Sequence, residues 1–219
     1  KSTPRAPEVM MNICRQVIAR LMRMTSPPAH AKSRQTGFAV IPLDPEVDST
    51  EFCRRFEGEL ATFGPTLHLS RDVLADRLGT PGIADIDEGA PENIRLTTWI
   101  EENEQSHSFM VYQADDPGSA WTRRCLKMAD RILLIARPTA DPTPRNFEKE
   151  LLLGANRITP AAQILVLLHP DDGDLPQGTR DWLRDRPLER HFHIRSHRDD
   201  DFARLARLLT GNGVGVVLG

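Results

Sequence analysis

Ile132-Leu133-Leu134-Ile135-Ala136 and Ile164-Leu165-Val166-Leu167-Leu168 are uninterrupted apolar runs of strand length. A strand with one wet face alternates apolar and polar residues; one apolar throughout is covered on both faces. Working outward, Phe38-Ala39-Val40-Ile41-Pro42-Leu43 and Phe109-Met110-Val111-Tyr112 read the same way, and Thr66-Leu67-His68-Leu69 is a shorter strand. His191-Phe192-His193-Ile194 reads as a short edge strand, and Val214 to Leu218 as a last one. Between them the periodicity turns helical. Phe52, Phe56, Leu60 and Phe63 share one face of Glu51–Phe63, with an N-cap expected near Ser49. Further helices are expected over Asp72–Leu78, Asn93–Gln105, Ser119–Ala129, Asn146–Leu153, Thr179–Leu183 and Asp199–Leu209, with Gly79 to Pro91 as a loop. Strand and helix in alternation predict an α/β fold, a mostly parallel sheet with helices on both faces.

An amphipathic stretch precedes this unit. Val9, Ile13, Val17 and Leu21 recur every four residues, with Arg15, Arg20 and Arg23 on the other side. Thr25-Ser26-Pro27-Pro28 stops that N-terminal helix, and the polar connector after it runs to Gln35. Three divisions follow: a helix and linker over 1–36, the α/β domain over 37–212, and the start of a further strand over 213–219.

Composition narrows the function. Lys plus Arg is 28 against 31 Asp plus Glu, a net charge of −3 over 219 residues. A nucleic-acid-coating protein would show a basic excess. No run approaches the ~18 apolar residues of a membrane-spanning helix. Cys14, Cys53 and Cys125 are odd in number and far apart, which suits a reducing compartment better than a disulfide framework. The chain opens on Lys1 without an initiator Met and closes on Val216-Val217-Leu218-Gly219, so a fragment of a longer polypeptide is expected.

Ligands of open α/β sheets bind beyond the carboxyl ends of the strands. Beyond the first strand stands Pro42-Leu43-Asp44-Pro45, and no G-x-x-x-x-G-K-[ST] occurs anywhere. A phosphate loop needs consecutive backbone N–H groups and a lysine, and prolines remove N–H groups. The element order resembles the ParA/MinD-type ATPases, with Asp115 after the third strand and Ala129-Asp130-Arg131 before the fourth. That implies a Rossmann-like or degenerate P-loop-like three-layer sandwich. In the alternative reading, a regulatory domain binding a nucleotide through a non-standard loop, Asp44, Asp115 and Asp130 flank the ligand.

Other signals are weaker. Gly211, Gly213, Gly215 and Gly219 lie between a helix and a strand or within the strand, the wrong context for a dinucleotide fingerprint. His191 and His193 share a strand face near His197 and Asp199–Asp201, and His169 stands near Asp171, Asp172 and Asp174. Neither set completes a metal-ligand spacing; an edge strand with an acidic helix start and a polar loop explain them. No serine sits in G-x-S-x-G. Ser119 reads as a helix cap and Cys125 as core. No catalytic residue, cofactor or metal is expected in this chain.

Tyr112-Gln113-Ala114-Asp115, Trp121-Thr122-Arg123-Arg124-Cys125, Ala129-Asp130-Arg131-Ile132-Leu133 and Leu167-Leu168-His169 resemble the region preceding the catalytic domain of neuropathy-target-esterase-like, patatin-type phospholipases. The strongest likeness is Asp201-Phe202-Ala203-Arg204-Leu205-Ala206-Arg207-Leu208-Leu209-Thr210-Gly211-Asn212 followed by Val216-Val217-Leu218-Gly219. The helix Pro7–Met24 resembles the last helix of a cyclic-nucleotide-binding domain. The resemblance implies a non-catalytic linker between a cyclic-nucleotide-binding module and a patatin module, its partners within one polypeptide. The parent would be a serine esterase acting on phospholipid or lysophospholipid, cytoplasmic and peripheral at the membrane. Gly219 would begin the glycine-rich oxyanion loop; the serine and aspartate of the dyad have no counterpart here.

Overall fold

In the computed structural model the described residues are 35–155, 157–171 and 178–211. The helix Pro7–Met24, Cys14, the strand Val214–Leu218, Gly213, Gly215, Gly219, Asp172 and Asp174 lie outside them.

Six strands form one all-parallel sheet: β1 (Thr36–Pro42), β2 (Thr66–Leu69), β3 (Phe109–Gln113), β4 (Arg131–Ala136), β5 (Ala162–His169) and β6 (Leu188–Arg195), ordered β2-β3-β1-β4-β5-β6. The helices are α1 (Ser49–Leu60), α2 (Arg71–Leu78), α3 (Pro91–Ser106), α4 (Ala120–Met128), α5 (Asn146–Leu151), α6 (Thr179–Leu183) and α7 (Asp199–Leu209). The expected α/β sandwich is what the chain adopts.

Two cores explain the apolar runs. Phe38, Val40, Leu133, Ile135, Ile164 and Val166 face α1 and α7, meeting Phe52, Phe56, Phe202 and Leu205. Ala39, Ile41, Ile132, Leu134, Leu165 and Leu167 face the other way, onto Leu74, Leu96, Trp121, Leu126, Leu151 and Trp182. Side chains alternate across a strand, so only an apolar residue at every position fills both cores. Burying one such side chain is worth ~1.5–3 kcal/mol.

The crossovers obey one hand. The chain from β1 passes α1 on the first face and moves toward β2; from β2 onward every connection lies on the opposite face and moves toward β6. A reversal of direction with a change of face preserves handedness. After β6, α7 returns to the α1 face.

Details correct the sequence reading. The cap of α1, expected near Ser49, is its neighbour Asp48: the carboxylate accepts the Glu51 N–H at 2.9 Å. The stretch Gly79 to Pro91 holds a 3-10 turn at Ile83–Asp85 that buries Ile83 and Ala84. β6 is longer than His191–Ile194 because its paired backbone continues into charged residues. Ser119 does cap α4, accepting from Thr122 N at 3.0 Å, and Cys125 is core.

Candidate functional site

Beyond β1 the connection turns toward β2, whereas beyond β4 it turns toward β5. The chains part between the carboxyl ends of these neighbours, which is where this architecture places ligands. The loop there is Leu43-Asp44-Pro45-Glu46-Val47-Asp48. Leu43 N donates to Ile135 O at 2.8 Å, which holds the loop against β4. Arg137, the first residue after β4, points its guanidinium at this loop. Its Nε lies 2.6 Å from Asp44 Oδ2 and its Nη1 2.5 Å from Glu46 Oε2. Asp44 Oδ1 also accepts the Glu46 N–H at 3.0 Å.

Asp44 is only 3% exposed. Burial alone would push its carboxyl up. The hydrogen bonds from Arg137 and Glu46 N, with the arginine's charge, hold it below the usual carboxylate range. Asp44 in turn raises Arg137. The pair fills the crevice with charges that satisfy each other.

The residues do not fit a nucleotide phosphate. An anion at a helix N-terminus needs free N–H groups and a cation. Here Pro45 lacks an N–H, the start of α1 is taken by Asp48, and Asp44, Glu46 and Asp48 bring negative charge. The guanidinium that points into the loop, that of Arg137, is held by two of them.

The comparisons agree with the sequence resemblance. Residues 35–198 match the model of the Neuropathy Target Esterase family P-loop like domain. The chain belongs to this family. Similar proteins include patatin-like phospholipase domain-containing protein 6 of Pongo abelii, 34% identical over 207 residues, and protein 7 of Mus musculus, 33% identical over 207. Neuropathy target esterase sws of Drosophila ananassae is 33% identical over 208 residues. Each alignment covers 83% of this chain but only 13–15% of the relative.

In this P-loop-like domain the three carboxylates of the nucleotide reading do not converge. Asp130 lies at the amino end of the sheet: its Oδ2 accepts from Gly37 N and its own N donates to Gly37 O, both at 2.9 Å. The fit at Gly37 is tight, since a Cβ would come within 3.1 Å of the Tyr112 ring and 3.3 Å of Met128 O. Asp44 is seven residues along β1 from that point, roughly 23 Å at ~3.3 Å per residue. Asp115 is at the carboxyl end but is engaged by Ser119 Oγ at 2.7 Å, Thr122 Oγ1 at 3.2 Å and Arg71 Nε at 2.6 Å. The nucleotide alternative is thus not supported.

The histidines are drawn together differently than expected. His193 Nδ1 meets His169 Nε2 at 2.8 Å, and its Nε2 lies 3.3 Å from Thr179 Oγ1. His191 packs edge-on to His193 at 5.8 Å between centroids. Burial lowers both His169 and His193, and His169, His191 and Arg204 lower His193 further. Among the described residues no three His, Cys, Asp or Glu side chains gather as a metal site. Burial pushes the Cys53 and Cys125 thiols up, away from nucleophilic form. No helix of the described residues is long and apolar enough to cross a membrane.

Sequence reasoning missed Arg137 and the buried pair Glu148–Arg186. Arg186 Nε lies 2.7 Å from Glu148 Oε2 and its Nη2 3.0 Å from Oε1, while Nη1 donates to Pro142 O at 2.7 Å. Both are charged residues that a composition reading assigns to the surface. No local pattern around Arg137 points to a loop 93 residues away.

Proposed function

We propose that this domain is a non-catalytic positioning module of a patatin-type serine esterase, setting a catalytic domain relative to an upstream cyclic-nucleotide-binding domain. The single observation that carries this is the closed crevice: the position at which the fold would take a ligand is filled by Asp44, Arg137 and Glu46. A fold that has given up its ligand still offers a rigid body to neighbours. The long relatives supply the context, since they carry patatin-like phospholipase or neuropathy target esterase names and exceed this chain several-fold in length.

The layout supports the same reading. β1 enters and α7 ends at the amino end of the two middle strands: Phe38 pairs with Arg131, and Arg131 Nη1 donates to Leu209 O at 2.6 Å. The domain is therefore hung from two adjacent points, and it positions neighbours by docking against them, not by spanning between them. Handedness favours a boundary near residue 213. A right-handed connection through α7 runs toward β2, and every place in that direction up to the far edge is already filled. Residues 213–219 then begin the sheet of another module, with Gly219 at the start of its oxyanion loop. The lipid substrate, phospholipid or lysophospholipid, and a peripheral membrane location belong to the parent in this reading.

Replacing residues 36–210 by a short flexible linker in the parent tests it. The expected result is a folded protein that still cleaves a soluble short-chain ester but has altered lysophospholipid hydrolysis and an altered response to cyclic nucleotides. Unchanged behaviour in both would overturn the reading.

A further inference from the structure

The stretch Trp121-Thr122-Arg123-Arg124-Cys125 divides on folding. Trp121, Thr122 and Cys125 enter the core, while Arg123, Arg124 and Lys127 remain on the other side of α4. Residues three and four apart are neighbours on a helix, so these cations form one stripe. The connection Ile86-Asp87-Glu88 runs opposite, and between the two lies a cavity of about 180 Å³. None of its lining residues belongs to the crevice of Asp44 and Arg137.

Arg124 is the centre of this site. Its Nη2 donates to Asn93 Oδ1 at 2.8 Å and reaches Ile86 O at 3.5 Å, both neutral oxygens. Among the described residues no carboxylate pairs with it, and its Nε is buried without an acceptor. Arg95 and Arg131 also bond carbonyls, but they close the ends of α2 and α7 at 2.8 and 2.6 Å, through Leu78 O and Leu209 O; Arg124 has no such task. Burial works against its charge and lowers it. A half-buried guanidinium with an unanswered donor is stabilised by an anion. The flanking cations can turn to the same anion. Arg123 pairs with Glu150 and Lys127 with Glu88, and these glutamates are 67% and 65% exposed, so both pairs are wet and weak.

We propose that this cavity binds a single phosphate group, carried by a small phosphate ester or by a phospholipid headgroup, with Arg124 as its central contact and Arg123 and Lys127 beside it. Three donor side chains around one cavity call for oxygens pointing several ways, which a tetrahedral phosphate offers and a planar carboxylate does not. Three cations stand against two acids in the lining, a surplus that suits one phosphate. A polyphosphate would press its further charges on Asp87 and Glu88, so the site discriminates against nucleoside triphosphates. The proposal stands apart from the positioning role, because a domain without this site still holds its neighbours.

Nuclear magnetic resonance of the full chain tests it, with inorganic phosphate and glycerol phosphate titrated to millimolar concentration at fixed ionic strength. Saturable shifts are expected at the Arg124 Nε–H and at the amides of residues 86–88 and 123–127, and chloride or magnesium-ATP should leave them in place. Arg124→Gln should weaken binding about tenfold or more, as loss of a charge-assisted hydrogen bond implies. Lys127→Gln, at an exposed position that keeps the fold, should weaken it less, and Glu88→Gln should tighten it by freeing Lys127. Vesicles of neutral lipid with and without phosphatidic acid separate the two sources. Broadening of the same signals by the acidic vesicles, where soluble esters act weakly, supports a headgroup, and tight binding of the soluble esters supports a small ester. No saturable shift with any of these probes, shifts scattered over the surface, equal binding by magnesium-ATP, or affinities indifferent to all three substitutions would overturn the proposal.

Discussion

Asp44–Arg137 and Glu148–Arg186 are both arginine–carboxylate pairs built on the connection that leaves β4, yet their surroundings differ. In the first, Arg137 keeps 38% of its side chain in water and shares itself between two acids of a glycine-free loop. In the second, both side chains are 1% exposed, the contact is bidentate, and the guanidinium also lies over the Trp182 ring. The first occupies the crevice where this architecture takes ligands; the second staples α5 to the segment after α6 and to the carbonyl of Pro142. A half-wet pair gains little from its charges, so its consequence is exclusion of anions, whereas a sealed pair cannot lose one member cheaply.

The largest expected effect breaks the sealed pair. Arg186→Met leaves the Glu148 carboxylate buried without its partner and should cost ~3–5 kcal/mol in chemical denaturation. The double variant Arg186→Met/Glu148→Leu should recover most of that loss, since an apolar pair of similar volume needs no solvation. A single variant as stable as the parent would mean that the pair is open to water. Asp44→Ala comes next, at about 1–3 kcal/mol, because Arg137 and the Glu46 N–H lose a largely buried acceptor. A loss as large as that of Arg186→Met would erase the distinction between the two pairs.

Much of the architecture was legible, and the reason is physical. β4 and β5 lie inside a parallel sheet, so both faces demand apolar residues and the runs announce themselves. β6 lies at an edge, where Glu189, Arg190 and His191 meet water, and only its more apolar half showed. Ile83 and Ala84 were hidden because glycines and prolines around them read as loop, although the turn folds them into the core. The crevice was half legible: Asp44 and Pro45 stood out as wrong for a phosphate loop, but Arg137 depends on a contact across 93 residues that no local pattern encodes. Asp130 looked like a ligand residue because its position in sequence, before a strand, does not reveal which end of the sheet it closes.

Smaller effects sharpen the same contrast between sealed and wet groups. The His169–His193 contact lies between these extremes, with His169 9% exposed and His193 partly buried, and both rings are held below the ordinary histidine range. Groups with depressed values stay neutral when folded and protonate when unfolded. Their contribution is therefore complete above ~6.5, the unfolded value, and is lost as pH falls below it. Stability measured between pH 7.5 and 5.5 should decline, with a slope of at most about 1.4 kcal/mol per pH unit for each proton taken up. His193→Gln should flatten that slope; an equally steep profile would assign the dependence to other groups. The smallest change is Gly58→Ala. Gly58 is exposed in the last turn of α1 and an added Cβ meets nothing within 4 Å, so the variant should gain up to about 0.5–1 kcal/mol. A loss instead would show that this face of α1 is covered.

The closed crevice is tested most directly by calorimetric titration of the folded chain with magnesium-ATP and magnesium-GTP to millimolar concentration. The account predicts no saturable heat from either nucleotide. Saturable binding that is abolished by changes at Asp44 and Arg137 would contradict it, because those residues would then be holding a ligand and not standing in for one.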